Sequence, residues 1–422
     1  MELLTSIEVI LVFVSFLFLV GCLLTPVADR LGAPFLLLFL FIGMMMGENG
    51  IGGVQFDDFT FAYDIGSIAL ALILFSGGLD TTRASFKKAG MPSLMLAVVG
   101  VIATTFIVGL LINFLFSVPL ALSLLLGAVV GSTDAAATFL LLRQRNIQLK
   151  DGLGETLMVE AGINDPMAIF LTITMVTIVD NELAMDAATF ISFLPQLAQQ
   201  LGLGLVAGIL GGFITALLIN RVKMPVSLFA PFAMAACLLI FNLTALSGGS
   251  GFLAVFIGGA ILRDRMTHQT ERVSQFHDGL SWISQIVLFL MLGLLVTPQE
   301  LLNHVPLGLG VAAVLIFIAR PLATVISLAP FGIGWRQQAF IGWVGLRGAV
   351  PIFLAIIPVI SPGPVSSGFF DVVFVVVVAS LLLQGWTISL AARWLRLIAD
   401  PEDGPKLPLG KGKAKARAKG KD

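Results

Sequence analysis

The chain has 422 residues, 58% of them hydrophobic and 12% charged, with a mean hydropathy of +1.02 and a net charge of −1. Its charged content is roughly half that of an average soluble domain, and no water-soluble fold hides so much apolar surface. Stretches such as Ile10 to Leu19 do not alternate apolar with polar residues, which excludes a transmembrane β-barrel and leaves an all-α polytopic membrane protein.

In chain order, apolar runs long enough to cross a bilayer predict thirteen spans, at 5–26, 33–47, 61–79, 91–116, 118–142, 153–178, 188–219, 225–246, 251–262, 279–296, 305–330, 337–360 and 369–392. The first run follows Glu2 without a basic leader. Between Gly21 and Thr25 it offers no small-residue cleavage site ahead of Pro26, so it reads as a retained helix. Cys22 and Cys237 sit inside apolar runs, where free cysteine behaves as a small hydrophobe, and predict neither a disulfide nor a metal site.

Basic residues favour the cytoplasmic side of a membrane protein. Here alternate connections hold Arg30, then Arg83, Lys87 and Lys88, then Arg143, Arg145 and Lys150, then Arg221 and Lys223, then Arg263, Arg265 and Arg272, then Arg336. With the residues after the last span they account for 22 of the 24 basic side chains. The other connections carry Glu48, Asp57, Asp58, Asp180, Glu182 and Glu300 and no base. The predicted topology is an inner-membrane protein with its amino end outside and its carboxyl end cytoplasmic. Two domains follow: a membrane domain over 1–398 and a disordered basic tail over 399–422, too rich in Gly, Pro, Lys and Ala to build a core. The remaining two bases, Arg320 and Arg347, fall inside apolar spans, where an ionised side chain costs at least about 2.5–3.5 kcal/mol and needs an acidic partner. Asp134, Glu160 and Asp165 are the candidates.

The fifth and twelfth spans resemble each other: GAVVGSTDAAATFLL (127–141) aligns with IGWVGLRGAVPIFLA (341–355), pairing Gly131 with Gly345, Ala135 with Ala349 and Phe139 with Phe353. Weaker echoes link 34–43 with 251–260 and 72–78 with 287–293. Each pair is seven spans apart, and copies an odd number of spans apart cross the membrane in opposite senses, the mark of inverted-repeat transporters. Both strong copies have glycine-rich centres, GSTDAA and GLRGAVP, which predict two broken helices crossing at mid-membrane with Asp134 and Arg347 at the breaks. Glycine-mediated close packing is the competing reading of the same residues.

The sixth span places Glu160, Asn164 and Asp165 in an apolar helix, with Pro166 freeing the carbonyl of Gly162. Glu160 and Asn164 lie four apart and share a face on which they can hydrogen-bond. Two arginines cannot satisfy three acids. If Glu160 pairs with Arg320, and Asp134 is held by helix ends and Arg347, Asp165 is left for a cation or a proton. A structural pair between Asp165 and Arg347 is the alternative. Burial penalises a bare carboxylate, so an unpaired one binds either ion, and that competition is an exchange mechanism.

GSTDAAATF (131–139), EAGINDPMAIFLT (160–172), ARPLA (319–323) and WVGLRGAVPIFLA (343–355) together resemble the monovalent cation:proton antiporters of the NhaP type, nearest to their CvrA-type potassium/proton branch, over about residues 5–395. The resemblance implies an NhaA-like inverted-repeat fold and exchange of K+ or Na+ for H+. In it Asp165 is the ion- and proton-binding acid, Asn164 its companion, Thr133 and Asp134 the unwound segment at the site, and Glu160 the partner of Arg320. It also implies a homodimer, no cofactor, and one-for-one exchange because an Asn precedes the Asp. Two departures stand out: Ser76 where relatives often carry an acid, and Ala161 where they carry a serine. Many CvrA-type relatives continue into cytosolic regulatory domains, whereas this sequence ends in its basic tail.

A passive cation channel and an organic-anion symporter are the competing functions on such a scaffold. Nothing points to nucleic acid. An enzyme is not expected, since there is no phosphate loop, nucleophile elbow or HExxH. His268, His277 and His304 lie scattered near membrane ends, either as solvated residues or as pH sensors.

Overall fold

Inside hydrocarbon a segment has to satisfy its own backbone, so the apolar runs become helices. A computed structural model describes residues 35–398 except Asn49, Arg145, Asn146 and Asp151, together with Ser15, Phe16, Leu19 and Leu23. The rest of the first expected span, and the tail from 399, lie outside the described residues.

The helices run in order α1 (Phe35–Met46), α2 (Phe59–Asp80), α3 (Arg83–Met95), α4 (Val101–Phe116), α5 (Leu120–Val129), α6 (Ala135–Gln144), α7 (Leu153–Asp180), α8 (Ala187–Ser192) and α9 (Leu194–Arg221). They continue with α10 (Phe229–Leu246), α11 (Gly251–Arg265), α12 (Thr270–Leu294), α13 (Pro298–Val314), α14 (Arg320–Leu328), α15 (Trp335–Trp343), α16 (Ala349–Leu354), α17 (Ile356–Ile360) and α18 (Gly368–Trp394). Among the described residues, eight helices are long and apolar enough to cross a membrane, with shorter apolar helices at Leu36–Met46, Leu120–Val129 and Ala349–Ile360. Each of the second to thirteenth expected spans overlaps a helix, although their ends differ. The tenth was expected at 279 and its helix starts at Thr270, because its first two turns are polar and a hydropathy reading sees only the apolar part.

The helices pack as two bundles. One holds α1, α2 and α9 to α12; the other holds α3 to α7 and α13 to α18. The opposed repeat is visible in both. In the first, α1 crosses α12 where a side chain on Gly43 would strike the Leu290 carbonyl and one on Gly293 the Leu40 carbonyl. The same crossing recurs between α2 and α11, through Gly78 against the Phe256 carbonyl and Gly259 against the Phe75 carbonyl. Gly78 and Gly293 occupy equivalent places in the aligned copies, so glycine at both lets backbones meet at a distance no other residue allows. In the second bundle, π turns interrupt the fourth and eleventh spans, at Leu96–Gly100 and Leu315–Ala319, and each turn packs against helices of the other copy.

The fifth and twelfth spans are broken as expected. Residues 130–134 separate α5 from α6, and residues 344–348 separate α15 from α16. Pro351 is the third residue of α16, inside the first turn where a missing N–H breaks no helical bond. Pro166, by contrast, lies within a helix that runs unbroken from Leu153 to Asp180.

Candidate functional site

The two breaks cross, and backbone holds them together: the Asp134 N–H donates to the Leu346 carbonyl at 2.8 Å. Both glycine-rich stretches therefore serve the crossing, and the close-packing alternative is not needed to explain them. Each half-helix leaves unpaired amides or carbonyls at mid-membrane, and side chains complete the accounting. Asp134 caps α6 by accepting from the Ala137 N–H at 3.0 Å. Thr138 donates to the carbonyls of Asp134 at 3.0 Å and Val344 at 3.4 Å. The Arg347 guanidinium, 1% exposed, donates through Nη1 to the Gly131 carbonyl at 3.0 Å and to the Ser132 carbonyl. Its charge thus sits on the carbonyl end of α5. Among the described residues no ion pair joins it to Asp165, so the structural-pair alternative does not describe this arrangement.

Asp165 lies on α7 beside the first break and accepts a hydrogen bond from Ser132 Oγ. In the second copy the Arg347 N–H, one residue on from the position aligned with Ser132, donates to Ser380 Oγ at 3.0 Å, also across 33 residues of chain. The two copies then diverge. Ser380 donates to Gln384 Oε1 at 2.6 Å, and Gln384 Nε2 donates to the Trp343 carbonyl at 2.6 Å, so this half is a closed network without a titrating group. The half with Asp165 has a carboxylate instead.

Asn164 does not bond Glu160, although helical spacing allowed it. Its amide donates to Thr133 Oγ1 at 2.5 Å, and Glu160 instead accepts from Arg320 Nη2 at 2.6 Å. The guanidinium wins because a buried charge needs an opposite charge more than an amide does. Glu160 is 0% and Arg320 2% exposed. Gly345 gives the arginine room, since a Cβ there would stand 2.8 Å from Arg320 Nε.

A cavity of about 260 Å3 reaches this crossing. Its lining includes Thr133, Asp134, Ala161 and Asp165 near the breaks, with Asp80, Ser76, Asp278, Ser281 and Gln285 toward one end. Among the described residues, no lysine or arginine lines it. Asp80 is exposed and closes α2 just ahead of Arg83, so the cavity opens at the basic end of the bundle. Ser76, where an acid was expected by resemblance, donates to Asp278 Oδ1 at 3.3 Å, so a carboxylate from α12 reaches the same place. On the other side the seam between the bundles is filled by rings: Tyr63 stacks on Phe353 at 5.2 Å, and Phe252 meets Phe353 edge-on at 6.4 Å.

Sequence reasoning missed Ser132, Asp278, Ser380 and Gln384. Ser132 stood inside the quoted motif, and Ser380 with Gln384 formed an i, i+4 polar pair in an apolar span, a signal open to use. Asp278 had none, because it precedes the apolar run of its helix. Gly348 was also undervalued. A side chain there would collide with the Asp134 carboxyl group. Gly348→Ala is therefore expected to reduce transport roughly 100-fold by displacing the break, while the protein still reaches the membrane; vesicle flux against immunoblot abundance measures both.

Residues 14–394 match the model of the family described as sodium/hydrogen exchanger, transmembrane. The K(+)/H(+) antiporter NhaP of Alkalimonas amylolytica is 44% identical over 400 residues, covering 95% of this chain and 69% of that one. The K(+)/H(+) antiporter NhaP2 of Shewanella oneidensis is 43% identical over 398 residues, covering 92% and 68%. Among solved structures, the sodium proton antiporter MjNhaP1 of Methanocaldococcus jannaschii superimposes with a TM-score of 0.78 at 23% identity, covering 94% of this chain and all of that one. That likeness speaks for the fold.

Proposed function

The chain belongs to the transmembrane sodium/hydrogen exchanger family, and from that premise we propose that it exchanges a monovalent cation, K+ before Na+, for H+ by competition at Asp165. The observation that carries this reading is the Asp165 carboxylate, 5% exposed, which lines a cavity with no lysine or arginine among its described lining residues and accepts from a neutral donor, Ser132. A cation displaces the proton because one site cannot stabilise both charges, and the acid is never left bare.

Thr133, Asp134 and Asn164 complete the site in this proposal. Asn164 Oδ1 is buried without a protein partner and is available to a bound cation. Glu160 with Arg320 is the structural pair, and Arg347 compensates the carbonyl end of the broken helix. The cavity opens on the arginine-rich side, which the distribution of bases assigns to the cytoplasm, so this conformation is inward-facing with the Phe353 cluster as the outer closure. Alternating access then moves the bundle bearing Asp165 against the other. Potassium is preferred over sodium because both highly similar relatives carry K(+)/H(+) in their names. A homodimer in a bacterial inner membrane, with the amino end outside, completes the proposal.

One titrating site carries either one cation or one proton per crossing, so turnover moves no net charge. Reconstituted protein on a solid-supported membrane is expected to give no sustained current while a pH-sensitive dye reports cation-driven proton flux. Sustained current, worth about 2.3 kcal/mol per charge per 100 mV of potential, rejects one-for-one exchange. Ion flux at symmetric pH that is indifferent to Asp165 would favour a channel.

A further inference from the structure

A second cavity lies away from Asp165, at the basic end of the seam between the bundles. It encloses about 260 Å3 and is lined by Arg83 and Phe86 of α3 and by Ile257, Ile261, Asp264 and Arg265 of α11. These two helices belong to different bundles and touch here through the edge of Phe86 against Phe256, ring centroids 6.2 Å apart. The exposed guanidinium of Arg265 spreads over the Phe213 ring at 5.9 Å, which orients it along the surface.

We propose that this groove binds the headgroup of an anionic phospholipid, with the phosphodiester between Arg83 and Arg265. The charge arithmetic favours an anion. Two guanidiniums face one carboxylate, and Arg265 Nε stands 3.9 Å from Asp264, beyond hydrogen-bond range, so its donors are not consumed by that acid. The apolar wall decides between a lipid and a free anion. Ile257, Ile261 and Phe86 offer nothing to inorganic phosphate, but they continue as the face on which the first carbons of an acyl chain lie. The level in the bilayer agrees: Arg265 ends an apolar helix, and Arg83 begins the helix after another, which sets both at the headgroup layer. Basic pockets between helices at this depth are a recurrent recognition site for anionic headgroups. A guanidinium from each bundle on one phosphate also bridges the seam. The inference stands on the groove alone and does not depend on exchange at Asp165.

The test is native mass spectrometry of the full chain released from micelles containing phosphatidylethanolamine and phosphatidylglycerol, paired with melting curves in the same lipids. The expected result is preferential retention of phosphatidylglycerol, with its affinity reduced about fivefold per arginine in Arg83→Gln/Arg265→Gln, and a raised Tm whose rise shrinks in the same variant. Asp264→Asn removes the opposing charge and is expected to strengthen retention, so it decides the matter if the arginine variant does not fold. Equal retention of the two lipids, undiminished retention in the double variant, or no change in Asp264→Asn overturns the proposal. Stabilisation by inorganic phosphate equal to that by phosphatidylglycerol would make it a free-anion site and overturns the lipid assignment.

Discussion

Asp165→Asn is expected to abolish cation-driven proton flux, by at least about 100-fold, in vesicles that contain as much folded protein as the wild type. The amide is nearly the same size as the acid and still accepts from Ser132, so the fold keeps its contact. It can neither release a proton nor offset a cation, and both half-reactions stop together. Asp165→Glu keeps the charge and is expected to retain part of the activity with an altered half-saturating cation concentration. The pH dependence follows from competition. With proton and cation excluding each other, each unit of acidification raises the half-saturating K+ by up to about tenfold, because one pH unit is worth about 1.36 kcal/mol at a single proton site. Toward alkaline pH, once the proton no longer competes, the half-saturating concentration becomes constant. Flux measured against K+ at several pH values reads this directly, and a half-saturating concentration independent of pH would separate the proton site from the cation site.

Much of this was legible in the residues, and for identifiable reasons. Hydrocarbon forbids unsatisfied backbone, so span positions follow from composition, and the breaks follow from GSTDAA and GLRGAVP, where glycine lowers the cost of leaving the helix. The partition of three acids and two arginines was legible only up to alternatives. Spacing placed Glu160 and Asn164 on one face, but the geometry sends them to different partners, Arg320 and Thr133, because contacts across 160 and 31 residues outweigh a weak local pair. A charge count offers Arg347 to Asp134 together with the helix ends, or alternatively to Asp165; its guanidinium donates to the Gly131 and Ser132 carbonyls. Helix-end carbonyls are invisible in a side-chain inventory, which counts only formal charges. Asp278 was illegible for a related reason: a carboxylate one residue ahead of the expected membrane boundary at 279 counts as a loop residue until the helix is seen to start nine residues before that boundary, at Thr270, and Ser76 to meet it.

The second large effect is expected at Glu160 and Arg320, and it separates structure from chemistry. Both side chains are buried and meet at 2.6 Å, with Arg320 leading α14 directly out of the π turn Leu315–Ala319 and lying against Gly345 of the second break. The pair thus ties α7, the helix that carries Asp165, to the copy that carries Arg347. Removing one partner leaves the other charge buried alone, at a cost of about 3–5 kcal/mol. Glu160→Gln and Arg320→Gln are each expected to melt well below the wild type in the same detergent and to accumulate poorly in the membrane. Glu160→Gln/Arg320→Gln removes both charges and is expected to recover much of that loss, since two neutral amides can hydrogen-bond where one amide against a charge cannot. The double-mutant cycle should therefore show coupling of a few kcal/mol, the range found for groups in direct contact. The pH profile and the recovery of transport in the double variant discriminate between roles. If Glu160 took part in proton binding, Glu160→Gln would alter the pH profile of whatever protein remains and the double variant would not restore transport. If the pair is a brace, the pH profile stays that of Asp165 and activity per folded molecule returns with stability. Additive losses in the cycle would mean that the 2.6 Å contact contributes nothing, and the bracing role would have to be given up.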